Sequence, residues 1–310
     1  MKAAIAAVLV LCSCSNLMKA QSPTHRHDNA HLFGATAVAF SPTGEIVASG
    51  GLRGEIALWR IGANIARLKA HRDAVRALEF VSDERFVSSG DDGRIILWNL
   101  SGREALVERQ SSAVTAMVLA GDNIVTGHAD GHVRAWTAFD LQPVHSLRLD
   151  SAVLALAVHG SMLAMAGEDG AVALFSPELN LLRRIQVSGP AAHDLQFSPD
   201  GKWLAAGSWF RLLVWNVDSG ERRSIASEHN GLLASLDFSP DGDRLVSLGR
   251  HTDSALRVWD TRNFAVERRY QAHDLCGAMV RFSPDGRFIA SVSDDESVRL
   301  YDLQLPYDPR

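Results

Sequence analysis

Turn-like polar residues followed by a short apolar run recur along the chain, and each run ends in an aromatic residue. Short runs of this kind between turn signals predict β-strands. The aromatic endings recur at roughly forty residues, a period that indicates a repeat protein. They are Trp59, Trp98, Trp136, Phe175, Trp215, Trp259 and Tyr301. The pattern therefore predicts seven copies of one strand-rich unit.

A turn signal recurs upstream of these aromatic residues. Proline presets φ for a tight turn and glycine accepts the positive φ that follows, so the motif Phe-Ser-Pro-x-Gly predicts a hairpin. It occupies residues 40–44, 197–201, 238–242 and 282–286, and looser versions occur in the second to fourth repeats. The strand before the turn carries an apolar residue at one shared position in all seven repeats. These residues are Val38, Leu78, Met117, Leu156, Leu195, Leu236 and Val280.

Each repeat is expected to form four short antiparallel strands. A lone four-stranded sheet cannot bury both of its faces, whereas seven sheets arranged radially pack on their neighbours around a central channel. The predicted fold class is therefore all-β, a seven-bladed β-propeller of four-stranded antiparallel blades, over residues 31–303. Residues 304–310 are expected to form a short tail.

The repeats resemble those of the WD-repeat family, in which a His, Ser, Asp and Trp of one blade hydrogen-bond in series. Three blades match this tetrad, the last with tyrosine in place of tryptophan. A satisfied chain of buried polar groups rigidifies a blade, so the resemblance implies a structural rather than a catalytic role for these side chains. The matching residues are His71, Ser88, Asp92 and Trp98, then His229, Ser247, Asp253 and Trp259, then His273, Ser291, Asp295 and Tyr301.

The other four repeats depart from that pattern. Arg53 stands where the first blade would have its Asp, Trp209 occupies the corresponding turn of the fifth, and the third and fourth lack the histidine. The seventh repeat also lacks a fourth strand. In the resembled fold the amino-terminal segment often supplies that strand. The candidate here lies within residues 21–30, at the end of a tether that spans residues 14–30.

The amino-terminal segment is typical of a targeting signal. Lys2 precedes the apolar residues 3–11, which are too few to cross a bilayer as a helix and suit a signal peptide over residues 1–13. Residues 11–14, Leu-Cys-Ser-Cys, resemble the bacterial lipobox, in which Cys14 would carry the lipid. This predicts a protein of the cell envelope that is lipid-anchored and faces the periplasm.

Two alternatives to this signal remain open. An ordinary signal peptide cut after Ala20 or Gln21 would release a secreted protein. Translation from Met18 would instead leave the protein in the cytoplasm.

Charge and composition exclude several functions. The chain has 31 Lys and Arg against 36 Asp and Glu, a net charge of −5, so it offers no broad basic field for nucleic acid. No Gly-rich phosphate loop, nucleophile elbow or Cys-x-x-Cys set is present, and no cofactor is expected. His25, His27, Asp28 and His31 could suggest a metal site. A solvated linker or closing strand explains them better, and no metal is predicted.

The predicted function is binding of a protein or peptide partner by a monomeric propeller. In the resembled family, the loops between second and third strands lie on the usual partner-binding face. Exposed aromatics beside arginine are common hot spots, although Trp209 could instead fold back over its shortened turn. The candidate residues are Arg53, Asp91, Trp209, Phe210, Arg211, Arg250 and His251.

The alternative is a propeller enzyme, a hydrolase or lyase with its site in the central channel. Such a site needs ionisable side chains that converge from several blades. The inner strands are instead rich in alanine, as in residues 35–40 and 153–158, with no repeated acid or histidine. The sequence therefore predicts a binding scaffold and not an enzyme.

Overall fold

The computed structural model describes residues 20–60, 63–101, 104–186, 191–251, 253–271 and 273–307. The predicted signal peptide and Cys14 lie outside the described residues. Within these stretches every regular element is a β-strand. A search of the same residues found no helix long and apolar enough to span a membrane.

The strands form seven four-stranded antiparallel sheets, each running from an inner strand to an outer strand. Blades one and two contain β2 (Ala35–Phe40), β3 (Ile46–Gly51), β4 (Glu55–Arg60), β5 (Ala63–Lys69), β6 (Val75–Ser82), β7 (Arg85–Gly90), β8 (Arg94–Asn99) and β9 (Glu104–Arg109). Blades three and four contain β10 (Val114–Ala120), β11 (Asn123–His128), β12 (His132–Thr137), β13 (Pro143–Arg148), β14 (Val153–His159), β15 (Met162–Gly167), β16 (Ala171–Phe175) and β17 (Leu181–Gln186). Blades five and six contain β18 (Asp194–Phe197), β19 (Trp203–Ser208), β20 (Arg211–Asn216), β21 (Arg222–Ala226), β22 (Leu232–Phe238), β23 (Arg244–Arg250), β24 (Leu256–Asp260) and β25 (Ala265–Tyr270). Blade seven contains β26 (Gly277–Phe282), β27 (Phe288–Ser293), β28 (Val298–Asp302) and β1 (His25–His27).

The inner strands form a closed ring around the channel. Each contacts the inner strands of both neighbouring blades, and β26 of the last blade returns to β2 of the first. Because successive strands are antiparallel, the loops that enter each blade and the loops between its second and third strands lie at one end. We call this end the upper face and the opposite end the lower face. The seven-bladed propeller predicted from the sequence is confirmed.

The core is divided into clusters that lie between neighbouring blades. The aromatic residue that ends each third strand belongs to the cluster shared with the preceding blade, as Trp98 does with blade one and Trp215 with blade four. Burial of such a side chain contributes roughly 3 kcal/mol. The shared apolar position of the inner strands is also buried in every blade. Each blade is therefore stabilised by its neighbours, as the repeat pattern requires.

The Phe-Ser-Pro-x-Gly segments form the predicted turns. At residues 197–201, Gly201 has a φ of +71°, and its amide donates to the Ser198 carbonyl at 2.8 Å. The Ser198 hydroxyl donates to Asp200 Oδ1 (2.6 Å) and accepts from the Trp203 amide (3.0 Å). The same bonds recur in the turns at residues 238–242 and 282–286. The serine of the motif thus stabilises the turn by hydrogen bonds, while proline and glycine favour its backbone conformation.

The amino-terminal segment supplies the outer strand of blade seven. Strand β1 pairs antiparallel with β28, with His25 opposite Leu300. Further upstream, Gln21 bridges in parallel to Tyr270, the last residue of the outer strand of blade six. The segment therefore closes the ring and also joins blades six and seven at the rim.

Residues 304–307 of the predicted tail pack against blade six. The Tyr307 hydroxyl accepts a hydrogen bond from the Arg269 amide at 2.9 Å. The Arg268 guanidinium lies over the Tyr307 ring, 5.5 Å from its centre. The described part of the tail therefore packs on the outer strand of blade six and does not extend freely from the propeller.

Candidate functional site

Blade two carries a complete hydrogen-bonded chain. Trp98 Nε1 donates to Ser88 Oγ at 2.8 Å, and Ser88 Oγ lies 2.8 Å from His71 Nε2. His71 Nδ1 lies 2.8 Å from Asp92 Oδ1. Because an indole nitrogen can only donate, the protons run from Trp98 through Ser88 and His71 to Asp92. Burial opposes ionisation of Asp92, but hydrogen bonds from the Arg72 amide and His71 hold its pKa below the usual range.

Blade six repeats this chain and adds a cation. His229 lies 2.8 Å from Ser247 Oγ and 2.9 Å from Asp253 Oδ1, and Trp259 donates to Ser247 at 2.8 Å. Arg257 forms an ion pair with Asp253 at 2.9 Å. Although burial favours the neutral acid, the bonds from His229 and Arg257 hold the pKa of Asp253 well below its usual range.

Blade seven has the same arrangement with tyrosine at the aromatic position. His273 lies 2.8 Å from Ser291 Oγ and 3.0 Å from Asp295 Oδ2, and Tyr301 is buried. Arg299, whose side chain is 0% exposed, pairs with Asp295 at 2.9 Å. Burial lowers the pKa of His273, so its ring stays neutral in this chain. The twelve predicted tetrad residues are thus brought together within three blades, where each chain links the upper-face loops to the second and third strands.

Blade one contains a fourth chain that sequence analysis missed. His31 Nε2 lies 2.7 Å from Ser49 Oγ, and Trp59 donates to Ser49 at 2.8 Å. Glu55 takes the place of the aspartate, since its Oε1 lies 3.3 Å from His31 Nδ1 and accepts from the Leu32 amide at 3.1 Å. Its longer side chain reaches back from the start of β4. Arg53 does occupy the usual position of the acid, and Glu55 supplies the acid from two residues further along the chain.

Blade three uses a different histidine. Trp136 donates to Thr126 Oγ1 at 3.0 Å, and Thr126 Oγ1 lies 3.0 Å from His128 Nε2. His128 belongs to the second strand and not to the loop that enters the blade, and burial lowers its pKa to about 4. In blade four Asp169 accepts a hydrogen bond from the Ala171 amide at 3.0 Å. The blades thus differ widely in how their loops are held.

Two of the predicted partner-binding residues form ion pairs within the protein. Arg76 binds both oxygens of Asp91, at 2.7 and 2.6 Å. Arg250 donates to Asp294 at 3.0 Å. Arg76, Arg250 and Asp294 line the upper part of the central channel. The structure therefore places Asp91 and Arg250 in the channel entrance, with their charges already compensated.

The loop of blade five reaches towards blade six. The Trp209 ring stacks on His251, with centres 5.3 Å apart and planes inclined by 6°. Trp209 is 37% exposed and Phe210 is 55% exposed, and Arg211 beside them is also exposed. Phe210 and His251 have positive φ angles of +58° and +72°, which L side chains rarely adopt. The loop holds these rings outward at a cost in backbone strain.

A second exposed group lies on the same face at blades seven and one. Leu32 is 60% exposed, Phe33 is 54% exposed with a φ of +68°, and Leu275 is 57% exposed. The guanidinium of Arg53 lies 4.4 Å from the centre of the Phe33 ring. Together with the blade-five loop they make up what we call the apolar arc, which comprises Leu32, Phe33, Trp209, Phe210 and Leu275. Leu32, Phe33 and Leu275 were not among the sequence-based candidates, because the sequence does not show whether a single apolar residue in a loop is exposed or buried.

The central channel holds a cluster of charged residues that the sequence analysis did not expect. A cavity of about 460 Å³ opens along the inner strands, and its lining includes Glu79, Asp194, Asp237 and Arg281. These come from the inner strands of blades two, five, six and seven. Acidic side chains from three blades therefore meet in the channel. Glu79, Asp237 and Arg281 each directly follow the shared apolar position of their inner strand, but the residue type at that position differs between blades, so no repeated acid or histidine revealed the cluster.

The histidines near the amino terminus do not form a metal centre. The ring of His27 lies against Trp59, with centres 4.5 Å apart, and Asp28 pairs with Arg26. His31 belongs to the chain of blade one. In the part of the chain that the structure describes, no group of three or more His, Cys, Asp or Glu side chains could hold a metal ion.

Comparison with known proteins gives consistent matches. The profile of the family described as "WD domain, G-beta repeat" matches residues 22–60, 62–99, 183–216, 221–260 and 266–302. Protein HIR1 of Yarrowia lipolytica is 31% identical over 198 residues, which cover 57% of this chain and 17% of that protein. Guanine nucleotide-binding protein subunit beta of Solanum tuberosum is 27% identical over 206 residues, which cover 59% of this chain and 53% of that protein.

A shorter match links the chain to protein HIR1 of Candida albicans, 31% identical over 126 residues, or 34% of this chain and 14% of that protein. The chain thus spans about half of the G-beta subunit and a much smaller part of the HIR1 proteins. The profile matches cover more than half of the chain, and they fall on blades one, two, five, six and seven. The protein belongs to the WD-repeat family.

Proposed function

We propose that the upper face binds a protein or peptide partner through the apolar arc. The observation that carries this proposal is the exposure of large apolar side chains in loops that run from blade five to blade one. Isolated exposed apolar residues are ordinary, but a grouped set on one face is typical of an interaction site. Tryptophan and arginine beside phenylalanine are the residue types that most often dominate binding energy.

The contacts within the arc support this function because they order the side chains before binding. Arg53 stacks on Phe33 and His251 stacks on Trp209. A side chain that is already held loses less conformational entropy when a partner covers it. Phe33 and Phe210 both have positive φ angles, and both rings are more than half exposed. A binding role accounts for all of these features.

Replacing Phe33 or Trp209 by alanine is expected to weaken partner binding about 30-fold, the loss typical of a residue that contributes about 2 kcal/mol. Stability should change little, because both rings are exposed. The measurement is capture of partners on immobilised protein, identification by mass spectrometry, and then titration of the captured partner against each variant.

Phe139→Ala is the matched control for these two variants. Phe139 is 74% exposed on the lower face, and Arg85 lies over its ring at 4.7 Å, much as Arg53 lies over Phe33. Its loss should leave binding unchanged. Equal binding by all three variants and the unmodified protein would show that the partner uses another surface.

We propose further that the protein is a lipoprotein, anchored through Cys14 and facing the periplasm. Upstream of β1, Gln21 is held to blade six by two backbone hydrogen bonds. Its amide donates to the Arg269 carbonyl at 3.0 Å, and its carbonyl accepts from the Gln271 amide at 2.8 Å. The chain from Cys14 to Gln21 reaches at most roughly 25 Å. Attachment at the rim would bring the edge of the propeller towards the membrane and leave both faces open.

Cys14→Ser is expected to abolish fatty-acid labelling and to move the protein from the membrane fraction to the soluble fraction, since a lipid anchor supplies the membrane affinity. The measurement is growth with an alkyne-tagged fatty acid, followed by fractionation and detection of the tag. Cys12→Ser is the control and should keep both the label and the membrane location. A soluble, unlabelled Cys14 protein would contradict the anchor and leave the upper-face proposal unaffected.

The catalytic alternative has weaker support in the channel. Ser235 is a hydroxyl among the charged residues, and it donates to Asp194 Oδ2 (2.9 Å) and accepts from Arg281 Nη1 (3.0 Å) and the Val280 amide (3.2 Å). An activated serine needs an adjacent general base with a free lone pair, usually a histidine. The hydrogen bonds of Ser235 join groups of neighbouring strands and include no histidine. Binding therefore remains the function that the geometry supports best.

A further inference from the structure

The lower face has a pocket between blades three and four. Its volume is about 250 Å³, and it lies at the turns that follow the inner strands of these two blades. Its lining includes the buried side chains of Val125 and Leu163 and the exposed Pro177. Sites for whole small molecules begin at about 300 Å³, so this pocket suits one or two side chains of a larger ligand.

At three other boundaries, the proline of one Phe-Ser-Pro-x-Gly turn packs on the glycine of the turn in the next blade. A methyl group placed on each of these glycines would lie between 3.4 and 3.5 Å from Cδ of the proline, which is ordinary van der Waals contact. The pairs are Pro199 with Gly242, Pro240 with Gly286, and Pro284 with Gly44. A proline ring therefore fills the space between neighbouring turns.

Blades three and four have shorter turns that contain no proline. Residues 120–123 and 159–162 each form a hairpin with only two residues between the paired ends. Gly121 and Gly160 take the first of these two places with φ angles of +61° and +55°, as in a type II′ turn. A methyl group on either glycine would meet no atom of the described residues within 4 Å. The pocket is therefore the space that a proline fills elsewhere in the ring.

Two further boundaries are closed by other side chains. Between blades one and two, Thr43 donates to Asp83 Oδ1 from its amide at 3.0 Å and from its hydroxyl at 2.8 Å. Between blades four and five, His159 takes the place of the proline, and a methyl group on Gly201 would overlap its ring. The open pocket is thus a particular feature of blades three and four and not a general property of the propeller.

The loops around the pocket are acidic. Asp122 belongs to the turn of blade three, Asp140 to the loop before its outer strand, and Glu178 to the corresponding loop of blade four. The Asp122 carbonyl accepts from the Ala138 amide at 2.8 Å, which places the second loop beside the turn. All three acidic residues are exposed, and these loops contain no lysine or arginine. A basic residue of a ligand would therefore be favoured beside the pocket.

We propose that this pocket binds a protein partner through an exposed proline of an extended segment that carries a lysine or arginine next to it. The choice of proline rests on the three boundaries at which a proline of this chain already fills the equivalent space. Proline also has its φ fixed before binding, so it loses little conformational entropy when it enters the pocket. The site lies on the lower face, and the proposal does not depend on the apolar arc.

A variant with a closed pocket and its matched control make the test specific. The closed variant replaces residues 120–123 by Ser-Pro-Asp-Gly-Asp-Arg, the sequence of residues 239–244, which joins the same two strands in blade six. The introduced proline should pack on Gly160 as Pro240 packs on Gly286. The control carries the same longer turn with glycine in place of that proline, which leaves the pocket unfilled. Circular dichroism and thermal melting establish that both variants have folded.

The experiment selects random nine-residue peptides, displayed on phage, on the immobilised full chain after depletion on the closed variant. The enriched peptides should share a proline with a lysine or arginine beside it. A fluorescein-labelled synthetic copy should bind the control at least ten-fold more tightly than the closed variant. Replacing the proline of the peptide by alanine should weaken binding about ten-fold, because both the buried ring carbons and the fixed backbone are lost.

The acidic loops supply a second readout. Asp122→Asn or Glu178→Gln should weaken binding of the labelled peptide about three-fold, the effect typical of an exposed ion pair. Glu168→Gln removes an equal charge from an exposed loop of the upper face and should have no effect.

Four results would overturn the proposal. They are the absence of any enrichment, enriched peptides without proline, equal binding by the closed variant and its glycine control, and a dimer in light scattering that the closed variant dissociates. The last result would assign the pocket to a second copy of this chain.

Discussion

Replacing Asp295 by asparagine is expected to lower the free energy of unfolding by about 3 kcal/mol, because it removes the acid from a buried ion pair. Arg299 is 0% exposed and pairs with this carboxylate at 2.9 Å. The same carboxylate lies 3.0 Å from His273 Nδ1 and accepts from the amides of Asp274 and Ser297 at 2.9 and 3.0 Å. An asparagine side chain carries no charge to compensate the Arg299 cation. Its amide nitrogen would also direct a hydrogen-bond donor at groups that are themselves donors.

The measurement is urea unfolding of the variant and the unmodified protein at neutral pH. Asp169→Asn is the matched control, since Asp169 lies at the corresponding position of blade four, is exposed and, among the described residues, accepts only from the Ala171 amide. Its expected effect is within about 0.5 kcal/mol. A loss for Asp295→Asn no larger than that of the control would show that the chain of blade seven contributes nothing to stability.

The Asp295 effect should also depend on pH. Burial opposes ionisation, but the bonds from His273 and Ser297 hold the pKa of Asp295 well below its usual range. A group with a depressed pKa contributes stability above its unfolded value of about 4 and loses that contribution as the pH falls further. The difference between the two proteins should therefore be constant near neutrality and shrink in acid. A difference that grew in acid would contradict this assignment.

Deleting residues 1–27 is expected to lower the free energy of unfolding by roughly 4 kcal/mol, at about 1 kcal/mol for each backbone hydrogen bond lost. The deletion removes β1, and with it the bond from the Thr24 amide to the Leu300 carbonyl and both bonds between Gln21 and blade six. It also removes the contact of His27 with Trp59. Strand β28, which is buried along its whole length, then becomes an unpaired edge.

Deletion of residues 1–19 is the control for the closing strand, since it keeps β1 and should unfold like the full chain. The measurements are urea unfolding and molar mass by light scattering. Exposed edge strands pair with other chains, so the longer deletion should also form dimers or larger species. A monomer with an unchanged unfolding midpoint would show that blade seven does not need its outer strand.

The parts of the fold that were predictable depend on residues close together in the chain. The turn at residues 197–201 is set by a proline, a glycine and a serine that act on one another, and the buried position of Trp215 follows from a strand pattern a few residues long. The acid of blade one did not follow from local spacing, because it comes from another position of the repeat. Glu55 replaces the expected aspartate of blade one from a different position, because a longer side chain can bond the same histidine.

The sequence by itself determined the number of blades, their strand order and the location of three hydrogen-bonded chains, since these rest on local spacing repeated along the chain. Only the closed ring decided what the channel contains. Glu79, Asp237 and Arg281 occupy the same position of three repeats, directly after Leu78, Leu236 and Val280, and they meet because blades two, six and seven surround one axis. The apolar arc likewise gathers loops from blades five, seven and one on one face. Closure of the propeller is the physical reason why residues of separate repeats line one channel.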